Sequence, residues 1–221
     1  MSVKERREQE KKHRREQIIN AAEKVVFEKG IEHVRMDEVA EIAQVSKGTL
    51  YLYFKSKMEL ALAIHLRGLK ILLKQIASEL SKPGKGIELI QRMSRCFFEF
   101  AEEYPHYFKL FVYYETIGID IMQDVMDTST MAECNKIGDE VFYYIVRAVQ
   151  VGIQDGTIEN SLNPHNVALQ IMGSTRGLVQ VSQFYEQGIF ISPALSEANV
   201  DIESMFDLYF KLIIKSLRPE K

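Results

Sequence analysis

Apolar residues recur three and four positions apart along most of the chain, and nowhere do they alternate with polar ones for long enough to mark a strand. Ile18, Ala22, Val25 and Val26 define a first helix that runs to about Lys29 and stops at Gly30. A second covers about Met36 to Ala43, with Asp37 and Glu38 at its positive end and Val39, Ala40 and Ile42 facing inward. Ser46 caps a third, a helix of about two turns that is stable only when held by its neighbours. The fourth opens on Ser56-Lys57-Met58-Glu59, which reads as a capping box, and carries Leu62, Leu66, Leu69, Leu73, Ile76 and Leu80 as one unbroken stripe. Ser81 to Gly86 ends it. Helices then follow from Ile87 to about Glu103 and from Pro105 onward, with a short one between Gly118 and about Met126. Asp127-Thr128-Ser129-Thr130 caps the next, which reaches Ile153; another runs from Asn163-Pro164 to Glu186, and the last from Val200 to Leu217 after a loop at 188–199. The fold class is all-α with about nine helices: a three-helix N-terminal domain over residues 1–55 and a larger helical domain over 56–221.

The order of helix, tight connection and second helix across Glu38–Ser46 is that of a helix-turn-helix. The run Ile42-Ala43-Gln44-Val45-Ser46-Lys47-Gly48-Thr49-Leu50-Tyr51-Leu52-Tyr53-Phe54-Lys55-Ser56-Lys57-Met58-Glu59-Leu60 closely resembles the DNA-binding signature of the TetR family of one-component transcriptional regulators. The resemblance covers roughly residues 14–62. It implies that Lys47, Thr49, Tyr51, Tyr53 and Lys57 fall on DNA-contact positions, with Lys47 and Thr49 within reach of base edges and Tyr51, Tyr53 and Lys57 suited to phosphate and sugar. Leu50, Leu52 and Phe54 are expected to anchor the reading helix to its own core. Two residues depart from the family pattern. Arg35 stands where a Ser or Thr usually caps the second helix, and Gln44 where a Gly usually makes the turn, each at a cost of about 1 kcal/mol of stability.

Charge supports this placement of the reading head. The whole chain is acidic at −3, but residues 1–70 hold 15 Lys and Arg against 11 Asp and Glu, leaving 13 against 20 for residues 71–221. The basic part is the part that carries the helix-turn-helix, and binding to phosphates depends on local rather than average charge. Residues 1–15, rich in both signs, read as a fraying extension of the first helix, either a solvated tail or an arm that grazes phosphates. No apolar run is long enough to span a membrane and no secretory leader opens the chain, so a cytoplasmic protein is expected. Cys96 and Cys134 lack ligand-spaced neighbours and read as buried thiols. The five histidines have no metal-ligand spacing and no catalytic motif appears, so neither a metal, a cofactor nor an enzyme is expected.

The larger domain offers two further candidate surfaces. Nine of the chain's 22 aromatics lie between Phe97 and Tyr114. With the methionines they supply enough flat, soft surface to line a cavity. The candidate ligand-binding residues are Met93, Phe97, Phe100, Tyr104, Phe108, Phe111, Met122, Met126, Met172, Arg176 and Gln180. The last helix is apolar over most of its circumference and needs a second covering surface, most simply a homodimer. The candidate interface residues are Ile171, Leu178, Val181, Met205, Phe206, Tyr209, Phe210 and Ile213, with Gly173 and Gly177 allowing close helix approach. The expected protein is a homodimeric transcriptional regulator on a pseudo-palindromic operator, a repressor released by a small apolar or aromatic effector. The alternative keeps the reading head and makes the larger domain a dimerisation or protein-interaction module only.

Overall fold

A computed structural model describes residues 2–116, 123, 125–186 and 202–219. Among these residues there are nine α-helices and no strand: α1 Val3–Lys29, α2 Met36–Ile42, α3 Lys47–Tyr53, α4 Lys57–Leu80, α5 Gly86–Glu103, α6 Pro105–Thr116, α7 Ser129–Gln154, α8 Pro164–Glu186 and α9 Ile202–Leu217. A single 3-10 turn, Ile31–His33, joins α1 to α2. The short helix expected between Gly118 and Met126 falls largely outside the described residues, as does the loop at 188–199.

The chain packs as two units. One holds residues 1–70 and 106–136, the other residues 71–105 and 137–221. In the first unit α1 to α3 close over a core of Ile18, Ala22, Val25, Val39 and Leu50, completed by Leu60, Ala61 and Ile64 of α4. α6 belongs to the same unit. Tyr107 donates its hydroxyl hydrogen bond to the Glu23 carboxylate, Arg67 bridges Glu23 (2.9 Å) and Glu16 (2.5 Å), and Tyr114 Oη donates to the Met58 carbonyl at 2.9 Å. Burial and the adjacent carboxylate push the Tyr107 hydroxyl well above the usual phenol range, so it stays a donor. Gly68 is part of this contact, since a Cβ there would lie 3.0 Å from Tyr107.

The second unit is built on α5, α7, α8 and α9. The inward face of α5 is set by Ile90, Met93, Phe97, Phe100 and Ala101, and Phe98 meets Phe206 of α9 with ring centroids 4.0 Å apart. Gly86, the first residue of α5, passes so close to α7 that a Cβ would lie 2.0 Å from the Gly152 nitrogen, so not even a methyl group fits. Asp155 holds this crossing by accepting from Gly86 N at 2.8 Å, and Thr157 N donates to the same carboxylate at 3.0 Å. A row of hydroxyls ties α5, α8 and α9 together: Thr175 Oγ1 donates to Ser94 Oγ at 3.3 Å, and Tyr209 Oη lies 2.8 Å from Ser174 Oγ. Both thiols are buried, which raises Cys96 to about 11 and Cys134 to about 12 and leaves them protonated and unreactive.

α1 differs from expectation at its start. It is helical from Val3, and Ser2 and Glu5 form a reciprocal capping box that fixes its first turn. Its exposed N-terminal half carries Lys4, Arg7, Lys11 and Arg14 at helical spacing, in line with the buried Ile18, Ala22 and Val25 farther along.

Candidate nucleic-acid interface

The reading head is made by a turn and two caps. α2 starts at Arg35 with no side-chain cap, as its residue type implies. It ends in a Schellman arrangement in which Val45 N bonds Ala40 O at 2.9 Å and Gln44 N bonds Glu41 O at 3.0 Å. Gln44 adopts φ 55°, the left-handed backbone that the family pattern gives to a glycine. Ser46 then caps α3, accepting from Thr49 N at 3.0 Å while the two hydroxyls meet at 2.8 Å. At the start of α4 the capping differs slightly from a reciprocal box: Ser56 Oγ accepts from Glu59 N at 3.1 Å, but the Glu59 carboxylate takes Lys55 N at 2.7 Å.

Seven residues of helix leave one anchoring position, and the C-cap supplies a second. Leu50 and Phe54 are fully buried, one turn apart, and the Arg15 guanidinium lies over the Phe54 ring at 5.0 Å. Leu52 is not an anchor, since it sits on the opposite side of the helix and is 84% exposed. Tyr51 is 41% exposed beside it, Tyr53 is half-buried, and Lys47 stands free of the core at the first turn. Lys47, Thr49, Tyr51 and Tyr53 therefore share one short helix with Leu52, a position that hydrophobicity had assigned to the core. Its exposure follows from the helical angle between residues 50 and 52, which is a readable signal. Lys57, at the N-terminus of α4, donates from Nζ to the Glu32 carbonyl at 3.1 Å. Lys47 Nζ is paired with Asp37 Oδ1 at 2.7 Å.

The profile described as "Bacterial regulatory proteins, tetR family" matches residues 18–64, the span just described. The HTH-type transcriptional regulator YhgD of Bacillus subtilis is 31% identical over 147 residues, covering 66% of this chain and 72% of its own. The chain belongs to the TetR family. It is a DNA-binding transcriptional regulator of that family, and the relatives it matches are regulators rather than enzymes. The HTH-type transcriptional activator FasR of Mycolicibacterium smegmatis is 35% identical over 89 residues, 40% of this chain and 41% of FasR. Among solved structures, the regulator FadR of Bacillus subtilis in complex with stearoyl-CoA shares the fold with a TM-score of 0.64 at 18% identity, over 91% of this chain and 98% of that one.

The other predicted positions distribute unevenly. Of the candidate ligand residues, Phe108, Phe111 and Met126 lie in the first unit, and Met93, Phe97, Phe100, Tyr104, Met172, Arg176 and Gln180 in the second. Met122 lies outside the described residues. Phe108 and Phe111 stack at 6.2 Å, Phe100 and Tyr104 meet at 5.6 Å, and Met93, Phe97 and Phe100 are buried along α5. Met126 is exposed. One open groove of about 770 Å³ runs between α5 and α9, but it is lined by Arg92, Arg95, Lys211, Lys215 and Arg218 among others, and by none of the candidate ligand residues.

Of the candidate interface residues, Ile171, Phe206 and Phe210 are buried within their own chain and so are already covered. Burial of Phe206 and Phe210 explains much of the apolar excess of α9: one side serves α5. Tyr209 is held by the hydroxyl row, Leu178, Met205 and Ile213 are half-buried, and Val181 is exposed. Among the described residues of these two helices, the large apolar side chains left exposed are Leu169, Val181 and Phe184 on α8 and Leu208 and Leu212 on α9. Gly173 and Gly177 fall in the α8 line, and a Cβ on either would meet nothing within 4 Å. Among the described residues no helix is long and apolar enough to cross a membrane.

Proposed function

We propose that the protein is a homodimeric repressor that reads a pseudo-palindromic operator and leaves it on binding a small apolar or aromatic effector. In this reading residues 1–55 form the DNA-binding domain and residues 56–221 the effector-binding and dimerisation domain. That boundary places the reading helix in the first domain and the start of α4, with Lys57, in the second, while the packing division within α4 at Lys70 reflects the seating of α6 with the head. The observation that carries the proposal is the exposure of Lys47, Tyr51 and Leu52 on a short helix fixed from below by Leu50 and Phe54. Lys47 and Thr49 address base edges, Leu52 offers an apolar contact to a thymine methyl, and Tyr51, Tyr53 and Lys57 set register on the backbone. The stripe Lys4, Arg7, Lys11 and Arg14, helical and free of ion pairs among the described residues, favours the phosphate arm over the solvated tail.

The dimer face is Leu169, Gly173, Gly177, Val181 and Phe184 of α8 against the same residues of a second copy, flanked by Leu208 and Leu212. The buried side chains of Met93, Phe97 and Phe100 along α5 support an apolar effector. The stearoyl-CoA held by the FadR fold makes acyl-CoA thioesters the first probes to try. The release step requires an effector with different affinities for the free and operator-bound states, so operator must weaken effector binding by the factor it suffers.

The test begins with an operator selected from a randomised duplex pool. Lys57→Ala weakens binding to selected and random duplexes about equally and lowers the salt slope by about 1, whereas Lys47→Ala also relaxes base preference. Equal affinity of the wild type for both duplexes would sink the DNA assignment. Native mass spectrometry of gently purified protein, followed by titration of the retained molecule or of acyl-CoA into the operator complex, tests the effector. A molecule that binds free and operator-bound protein equally would favour the larger domain as a dimerisation module alone.

A further inference from the structure

Asp37 stands in the first turn of α2 and belongs to none of the DNA-contact positions that the family signature marks. Its carboxylate nevertheless occupies Lys47, the cation at the first turn of the reading helix, with Oδ1 2.7 Å from Nζ. Arg35, the residue before α2, has a smaller electrostatic effect on both groups. The hydrogen bond from Lys47 holds the Asp37 carboxyl below the usual carboxylate range, and the bond to Asp37 raises the Lys47 ammonium, so both stay ionised at neutral pH. Lys57 is also engaged, but by the Glu32 carbonyl, which carries no net charge to oppose a phosphate.

Non-specific binding to duplex DNA comes almost entirely from cations meeting phosphates. A phosphate approaching Lys47 gains one charge contact, loses an equivalent one with Asp37, and comes near a like charge. The exchange gives little. A base edge in the major groove presents acceptors in a fixed pattern, and the lysine ammonium has three donors to divide between such an edge and the carboxylate. We propose that Asp37 is a specificity-determining residue of the reading head: it withholds Lys47 from phosphates in general and orients it for the base edge that suits it. A carboxylate on a DNA-facing surface thereby improves recognition while lowering raw affinity, a discrimination achieved by penalising the wrong partner.

This inference rests on the DNA-binding reading given above. The test uses the full-length protein, the selected duplex and a random duplex, over a series of salt concentrations. Asp37→Asn tightens the random duplex by roughly tenfold and the selected duplex by no more than about threefold, and it steepens the random-duplex salt slope by about 1. Asp37→Glu keeps the charge and retains most of the discrimination, which separates the loss of charge from any disturbance at the start of α2. In a Lys47→Ala background the effect of Asp37→Asn on discrimination disappears, because the residue acts through Lys47. Equal tightening of both duplexes, an unchanged effect in the Lys47→Ala background, or no change at all would overturn the role assigned to Asp37. A wild type that fails to distinguish the two duplexes would instead overturn the DNA reading beneath it.

Discussion

Phe206→Ala is expected to lower the stability of the protein by about 3–5 kcal/mol, the largest effect of any single truncation argued for this chain. Phe206 is fully buried, its ring lies 4.0 Å from Phe98 and 6.2 Å from Phe210, and Arg95 sits over the flanking rings, 5.8 Å from the Phe98 centroid and 6.0 Å from that of Phe210. Removing the ring takes away its transfer free energy and leaves a void that neighbours held by helices α5 and α9 cannot close. Phe206→Glu is harsher still, because it puts a carboxylate into a site walled by the Phe98 and Phe210 rings. Chemical denaturation followed by circular dichroism reads this directly. A loss below about 1 kcal/mol for Phe206→Ala would mean that α9 is not seated on α5. Loss of dimer in a Phe206 variant would accordingly report the collapse of the protomer's own core and says nothing about the interface.

The interface is tested at Leu212, which is 58% exposed on the opposite side of α9. Leu212→Glu leaves the protomer folded, since no intrachain core loses an atom, but places two like charges across an isologous contact. Sedimentation is expected to show monomers with an unchanged helical circular dichroism spectrum. Affinity for the selected operator falls by about 10²–10⁴, because the second reading head no longer binds at high effective concentration. Affinity for random duplex changes far less. An intact dimer in Leu212→Glu would move the interface away from this face of α8 and α9.

The contrast between these two residues shows what the pattern of apolar positions conveys. Helix after helix was legible from spacing and punctuation: Gly30 ends α1, Ser46 starts α3, and Pro105 starts α6 at the residues where the structure has them. The reading head was legible because its signature is a dense local pattern in which each residue has a backbone job. The larger unit was less so. The apolar circumference of α9 states that it must be covered, but not by which surface on which side, and Phe206 turned out to belong to Phe98 of the same chain. Leu52 shows the same gap in the other direction, since its hydrophobicity suggested the core while its place two residues from Leu50 directs it to solvent. The Asp37 to Lys47 pair was invisible for a different reason: a contact between residues ten apart on two short helices depends on the turn angle, which sequence spacing does not supply. At the start of α1 the charge density points to fraying, whereas the reciprocal bonds of Ser2 and Glu5 hold the first turn.

The left-handed backbone at Gln44 bears on how such a head can diversify over evolutionary time. The Val45 to Ala40 and Gln44 to Glu41 hydrogen bonds impose the conformation there, so the side chain carried at that point alters stability by about 1 kcal/mol and leaves the path of the chain alone. Drift at Gln44 is therefore nearly silent with respect to DNA, whereas drift at Ser46 removes the bond that decides where α3 begins. Leu52, which is 84% exposed and anchors nothing inside the protein, is free to vary with the operator. New operator preferences can arise in this lineage by changing what the reading helix displays, with the turn that presents it passed on unaltered.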